Sequence, residues 1–245
     1  MVKTRACHAR DEGIVTPTGR HKYLRSGEVV MGKIALFLDH PRCSVDGVNA
    51  IMNALQSHHT FKIFTSHRMP YDNFFDDVDV IAVPGGVGDV DTFDKVMKHH
   101  KDTIRDYVVN GGHYLGICMG AYWAGSKYLD LVKGRDCVQF MGRPGSKTKR
   151  PHPKDLEVDW LGKEEKIYWY DGCSIVGSGR MDIVSTYANG DVMAGCQGRV
   201  GLIGSHPEAD ENWYSCHSWM KKKWQPEKTS NWDLLLDFTN ELIKR

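Results

Sequence analysis

Gly116, Cys118 and Gly120 form the first set in this 245-residue chain whose types and spacing could do chemistry. Gly-x-Cys-x-Gly is the cysteine form of the nucleophile elbow, a strained turn from strand to helix that lifts a nucleophile above a sheet edge. Glycines flank it because the turn leaves no room for a β-carbon close by. A helix starting just after Cys118 would put its positive end and free N–H groups under the sulfur, favouring the thiolate. Taken alone, the pattern more often marks a packing cysteine.

A second set changes that balance. A cysteine nucleophile needs a base, and the base needs a group to orient it. His206 and Glu208 follow an apolar run at residues 200–204. Pro207 biases His206 towards an extended backbone, where residues two apart point the same way. Glu208 can therefore lean on the His206 ring and fix its tautomer. Acyl transfer also needs donors for a developing oxyanion. The N–H of Met119 is one candidate. The Gly85 and Gly86 pair after Pro84 supplies the other at Gly86, because glycine lets backbone approach a substrate closely.

These residues need a scaffold that brings strand ends together, and the hydrophobic pattern supplies one. Residues 33–38, 61–64, 78–83, 113–117 and 200–204 read as short buried strands. Residues 45–55 have helical spacing, and 93–109 read as a single amphipathic helix with Val96, Met97, His100, Ile104, Tyr107 and Val108 on one face. Gly111 and Gly112 end that helix. Such alternation means a parallel sheet with helices on both faces, and ligands bind at the carboxyl ends of its strands. Gly85, Gly86, Cys118 and His206 all fall at such ends. Residues 137–187 change texture to a β-rich insertion, Asn189, Gly190 and Asp191 make a hairpin turn, and residues 231–243 close the chain as an amphipathic helix. Residues 1–31 read as an N-terminal extension and 32–245 as one domain.

Composition narrows the function classes. The formal net charge is +1, so no global field draws the chain to nucleic acid or a membrane. No apolar run approaches the roughly 20 residues of a membrane helix. Seven scattered cysteines without a CxxC argue against a disulfide framework or zinc knuckle, and for a reducing, cytoplasmic setting.

The wording around the three strand ends carries a resemblance. Val83-Pro-Gly-Gly86, Gly111-Gly-His-Tyr-Leu-Gly-Ile-Cys118-Met-Gly-Ala-Tyr122 and Gly204-Ser-His-Pro-Glu208 resemble the class I glutamine amidotransferase superfamily, and within it the amidotransferase-like domain at the N-terminus of biotin–protein ligases. Tyr170, Asp171 and Gly172 are similar to that group as well. The resemblance implies a flavodoxin-like, mostly parallel sheet, the triad Cys118, His206 and Glu208, and no cofactor or metal. It implies an amide substrate, glutamine among them. Tyr122 stands where glutamine amidotransferases carry a glutamine, which opens the alternative of a non-catalytic binding or regulatory module. A redox-sensing or glyoxalase-like relative has no need of His-Pro-Glu. The chain has no room for a ligase catalytic domain, so biotin ligation is not expected.

The remaining features have plainer readings. His58–His59 and His99–His100 are expected on helices, where adjacent residues point apart and share no metal. Cys196, Cys216 and His217 lack metal-ligand spacing. Tyr168, Trp169 and Tyr170 are candidates to wall the substrate pocket. No phosphate-cradling loop is present, so ammonia made here would need an ATP-dependent ligase partner. The tryptophan- and lysine-rich stretch 213–224 is the candidate contact surface, with an acidic partner in view, although helix packing is the commoner use of such tryptophans.

Overall fold

The computed structural model describes residues 31–39, 43–66, 73–226 and 230–245. The expected N-terminal extension at 1–31 therefore lies, apart from Met31, outside the described residues. Five parallel strands form the centre, in the order β2 (His59–Phe64), β1 (Gly32–Phe37), β3 (Val80–Val83), β4 (His113–Ile117) and β11 (Val200–Ile203). Their side chains are almost wholly buried in β1, β3, β4 and β11, as strands covered on both faces require.

The β-rich stretch is a continuation of this sheet. β10 (Val192–Gln197) runs antiparallel beside β11, followed by β9 (Asp182–Tyr187), β6 (Lys154–Trp160) and β7 (Lys163–Trp169). β8 (Cys173–Gly177) pairs with β10 and with β5 (Arg135–Gln139). Eleven strands thus make one sheet, a flavodoxin-like parallel half continued by an antiparallel half.

Helices α1 (Val45–Leu55) and α7 (Ser230–Ile243) pack together over one face. Ser44 caps α1 by accepting from the Gly47 N–H. A β-carbon on Gly201 would sit 2.7 Å from Phe238, so α7 lies directly on β11. On the other face α2 (Val90–Met97) meets the elbow helix α4 (Met119–Trp123). Their contact is aromatic: Phe93 stands edge-on to Trp123 at 5.4 Å and to Phe37 at 5.4 Å, and the Trp123 indole donates to Asp94 at 2.9 Å. Burying each such ring is worth about 2–3 kcal/mol, and this cluster holds a five-residue helix that could not stand alone.

The single helix expected over residues 93–109 is broken. α2 ends at Met97, Lys98–His100 form a 3₁₀ turn, and α3 (Lys101–Val109) follows. The break turns His100 to bond the Ser66 carbonyl at 2.9 Å and Lys101 to pair with Asp94 at 2.9 Å, tertiary contacts that a straight helix would not reach. The histidine pairs also depart from expectation. His58 lies in a turn and His59 opens β2, where its Nδ1 accepts from the Gly32 N–H at 3.1 Å. Gly111, at φ +108°, ends α3 as expected.

Candidate active site

The elbow is visible in the backbone. Cys118 sits at φ +50°, ψ −102°, between the end of β4 and the start of α4. A non-glycine residue there is strained and must be held by its surroundings. Its N–H donates to Ile203 O at 2.8 Å, its carbonyl accepts from Ala121 and Tyr122 N–H at 3.0 Å each, and Gly120 N–H donates to Pro84 O at 3.2 Å. The Tyr114 hydroxyl closes the corner on Gly120 O at 2.8 Å. The two flanking glycines have steric reasons. A β-carbon on Gly116 would lie 2.6 Å from Gly120 O, and one on Gly120 would run into the carbonyl of Val83.

His206 comes from the adjacent strand end. Its N–H donates to Tyr168 O at 2.9 Å in a one-residue antiparallel bridge, so the backbone is extended there. Its Nδ1 meets Glu208 Oε1 at 2.8 Å. Both side chains are buried. Burial acts most strongly on His206 and disfavours its charge, but Cys118 and Glu208 together outweigh that and raise its pKa to about 10. Glu208 Oε2 is buried with no partner among the described residues, so His206 is the group that neutralises this carboxylate.

Gly85 completes the junction. A β-carbon on it would stand 2.9 Å from His206 Cε1 and 3.8 Å from Cys118 Cβ. The site thus needs glycine there for close approach. Gly86 bridges to Cys43 at the end of the same loop. Gly120, Ala121 and Tyr122 N–H are engaged within the corner, and Met119 is the first residue of the helix, next to the sulfur. Of the seven residues expected from the sequence, Gly85 and Gly86 follow β3, Cys118, Met119 and Tyr122 form the corner after β4 and the helix it opens, and His206 and Glu208 follow β11, three adjacent strands.

Two tryptophans at the site, Trp213 and Trp232, were not legible as such, while Tyr122, Tyr168 and Tyr170 were expected near it. Trp213, on α5 (Glu211–Ser215), lays its ring 4.9 Å from His206, and Tyr168 stands edge-on to Trp213 at 5.4 Å. The Trp232 indole holds Glu208 O at 3.1 Å. Tyr170 turns its carbonyl towards Cys118 Sγ at 3.8 Å. Tyr122 donates to Asp171 O at 3.4 Å, and burial pushes its hydroxyl pKa up. No spacing in the sequence marks the two tryptophan contacts. Of the wall expected from residues 168–170, Trp169 is instead buried in the sheet. Among the described residues no group of three or more His, Cys, Asp or Glu could hold a metal.

Sheet order and the elbow give the chain the fold of class I glutamine amidotransferase-like proteins. Over residues 40–143, which include the elbow, the sequence matches the family model described as biotin-protein ligase, N terminal. A solved glutamine amidotransferase from Thermotoga maritima superposes with a TM-score of 0.64, at 13% identity, over 89% of this chain and 100% of that one. A solved glutamine amido transferase from Methylobacillus flagellatus gives 0.53, at 11% identity, over 88% and 94%. At these identities the likeness is one of fold. No curated protein sequence matches the chain.

Proposed function

We propose that the chain is a cysteine-dependent amide hydrolase or amidotransferase. Cys118 is the nucleophile, His206 the acid and base, and Glu208 the group that orients His206. The observation that carries this reading is the meeting of a strained Cys118 at φ +50° with a buried His206–Glu208 pair at 2.8 Å. The Cys118 thiolate attacks the carbonyl carbon of a carboxamide, and Met119 and Gly86 N–H receive the negative charge on oxygen. The C–N bond breaks as His206 passes its proton to the leaving nitrogen, and a thioester remains on Cys118. Water, giving its proton to His206, then attacks the thioester. The acid leaves as the C–S bond breaks, and Cys118 is restored. A second amine in place of water gives amide transfer.

Glutamine is the first substrate to test, because solved proteins of this fold bear the name glutamine amidotransferase. Ammonia set free in water is largely protonated and unreactive, so the glutaminase form of this reading calls for an ATP-dependent ligase docked over the carboxyl edge of the sheet. The test is release of glutamate and ammonia by the chain alone and with the product of a neighbouring gene. Turnover should fall by roughly 10³-fold or more in Cys118→Ala, with the far-ultraviolet circular dichroism unchanged. Equal turnover in wild type and Cys118→Ala, on any substrate, would sink the mechanism. Brisk hydrolysis by the lone chain would remove the need for a partner.

One observation favours the second reading, a binding module without amide chemistry. Tyr122 spans the site to Asp171, and Cys118 is only 8% exposed. Thiol labelling against pH separates the two. An active site gives one cysteine alkylated fast below neutral pH, against a reference thiol pKa of about 8.5. Uniformly slow labelling favours the binding module.

A further inference from the structure

At the mouth of the site, rings from three segments form a ladder. Tyr170, whose carbonyl faces Cys118 Sγ, exposes nearly half of its side chain and stands 6.3 Å from the His217 ring. His217 lies 5.0 Å from Trp219, on the short helix α6 (Ser218–Lys221). Trp219, 54% exposed, reaches the His152 ring at 6.3 Å and donates its indole N–H to Pro153 O at 3.2 Å. That bond ties α6 to the segment entering β6.

Both segments are cationic. Residues 147–154 hold Lys147, Lys149, Arg150 and Lys154, residues 217–225 hold Lys221, Lys222 and Lys223, and neither contains a carboxylate. None of these side chains forms an ion pair with another described residue. Lys154 donates to the Arg150 carbonyl at 3.3 Å and stands over the Trp169 ring at 5.4 Å. Its burial, and then the charge of Lys223, lower its pKa. Like charges held together against their repulsion suit a surface that an anion covers.

We propose that this lane is the docking site for an acidic segment of a partner protein, seated on Arg150, Lys154, Lys221, Lys222 and Lys223 and crossing Tyr170. The proposal rests on the amide-chemistry reading of Cys118, whose ammonia needs an acceptor enzyme. Ring geometry favours polypeptide over single-stranded nucleic acid. Successive rings meet at 85°, 30° and 70°, so they offer no series of parallel faces on which bases could stack. An acidic chain needs only the charges and ring edges. Because Tyr170 belongs to both the lane and the site, occupancy of the lane is felt at Cys118.

The test is fluorescence anisotropy with a fluorescein-labelled peptide of alternating glutamate and serine, titrated with the full chain carrying Cys118→Ala. Saturable binding is expected, weakening with added salt. It should fall on the order of tenfold when Lys221, Lys222 and Lys223 are all replaced by alanine, and stay unchanged in Lys163→Ala, at the far end of β7. With Cys118 present, saturating peptide should change the rate of its alkylation by iodoacetamide, and Tyr170→Ala should remove that change. Absence of saturable binding, binding indifferent to the triple substitution, or tighter binding of a single-stranded oligonucleotide overturns the docking site. Binding with no effect on alkylation overturns the link through Tyr170. Fast alkylation of Cys118 without peptide binding would leave the amide reading standing and remove only this surface.

Discussion

At the scale of single residues, His206 is the hinge of the chemistry. Its pKa of about 10 is the outcome of burial, which opposes charge, and of Cys118 and Glu208, which favour it. Nuclear magnetic resonance of the imidazole should therefore show a ring protonated well above neutral pH. In Cys118→Ala the ring should lose its proton at lower pH, because the neighbour that most raises its pKa is gone. The sign of the linked stability follows. A native pKa above the unfolded value of 6.5 gives stabilisation that is complete below 6.5 and lost as pH rises towards 10. Glu208→Gln keeps the shape but removes the charge and the fixed tautomer. It should lower kcat by roughly 10²-fold or more with little change in KM, measured by steady-state kinetics on any substrate found. A kcat within twofold of wild type would remove Glu208 from the mechanism.

At the scale of elements, the elbow depends on how closely α4 approaches β3 and β4. A methyl at Gly120 would be driven into the Val83 carbonyl, which is backbone and cannot swing away. Gly120→Ala should cost about 3 kcal/mol or more, read as a lower midpoint in urea unfolding. Gly85→Ala meets a side chain instead, at 2.9 Å from His206 Cε1. That ring can tilt, so the loss should fall on kcat rather than on the unfolding midpoint. If Gly85→Ala were fully active, its loop would not bound the reacting groups.

At the scale of the whole molecule, the antiparallel half of the sheet braces the site. The Tyr187 hydroxyl on β9 donates to Cys173 O at 2.8 Å and meets Ser205 Oγ at 3.2 Å, beside His206. The loop after β5 is tied to the β9–β10 turn by Arg143, whose guanidinium reaches both carboxylate oxygens of Asp191, at 2.7 and 3.1 Å. Arg143, with Asn189 and Ser174, holds the Asp191 pKa below its usual value. The stabilisation is thus present above the unfolded pKa of 3.8 and lost as pH falls through the lower native value. Asp191→Asn should cost about 1 kcal/mol near neutral pH, the pair being partly exposed, and the difference from wild type should shrink in acid. Equal sensitivity at both pH values would assign the effect to the Ser174 hydrogen bond instead. No helix among the described residues is long and apolar enough to cross a membrane.

The sequence by itself determined the parts whose physics is local. Glycine spacing around Cys118 requires a tight corner, and the backbone turns there at positive φ. Continuous apolar runs became β1, β3, β4 and β11, and the extended His206 with Glu208 two residues on became a 2.8 Å hydrogen bond. Tertiary structure alone decided what meets across long separations. The pattern of residues 137–187 showed strands but not that β8 and β9 would pair with β10 and so extend the same sheet, because alternation fixes the faces of a strand and not its neighbour. Periodicity over 93–109 could not anticipate the break at Lys98–His100, which answers to Ser66 and Asp94. The placement of Trp213 against His206 and of the Tyr170 carbonyl against Cys118 arises from α5 and the end of β7 arriving at one sheet edge, which no local spacing encodes.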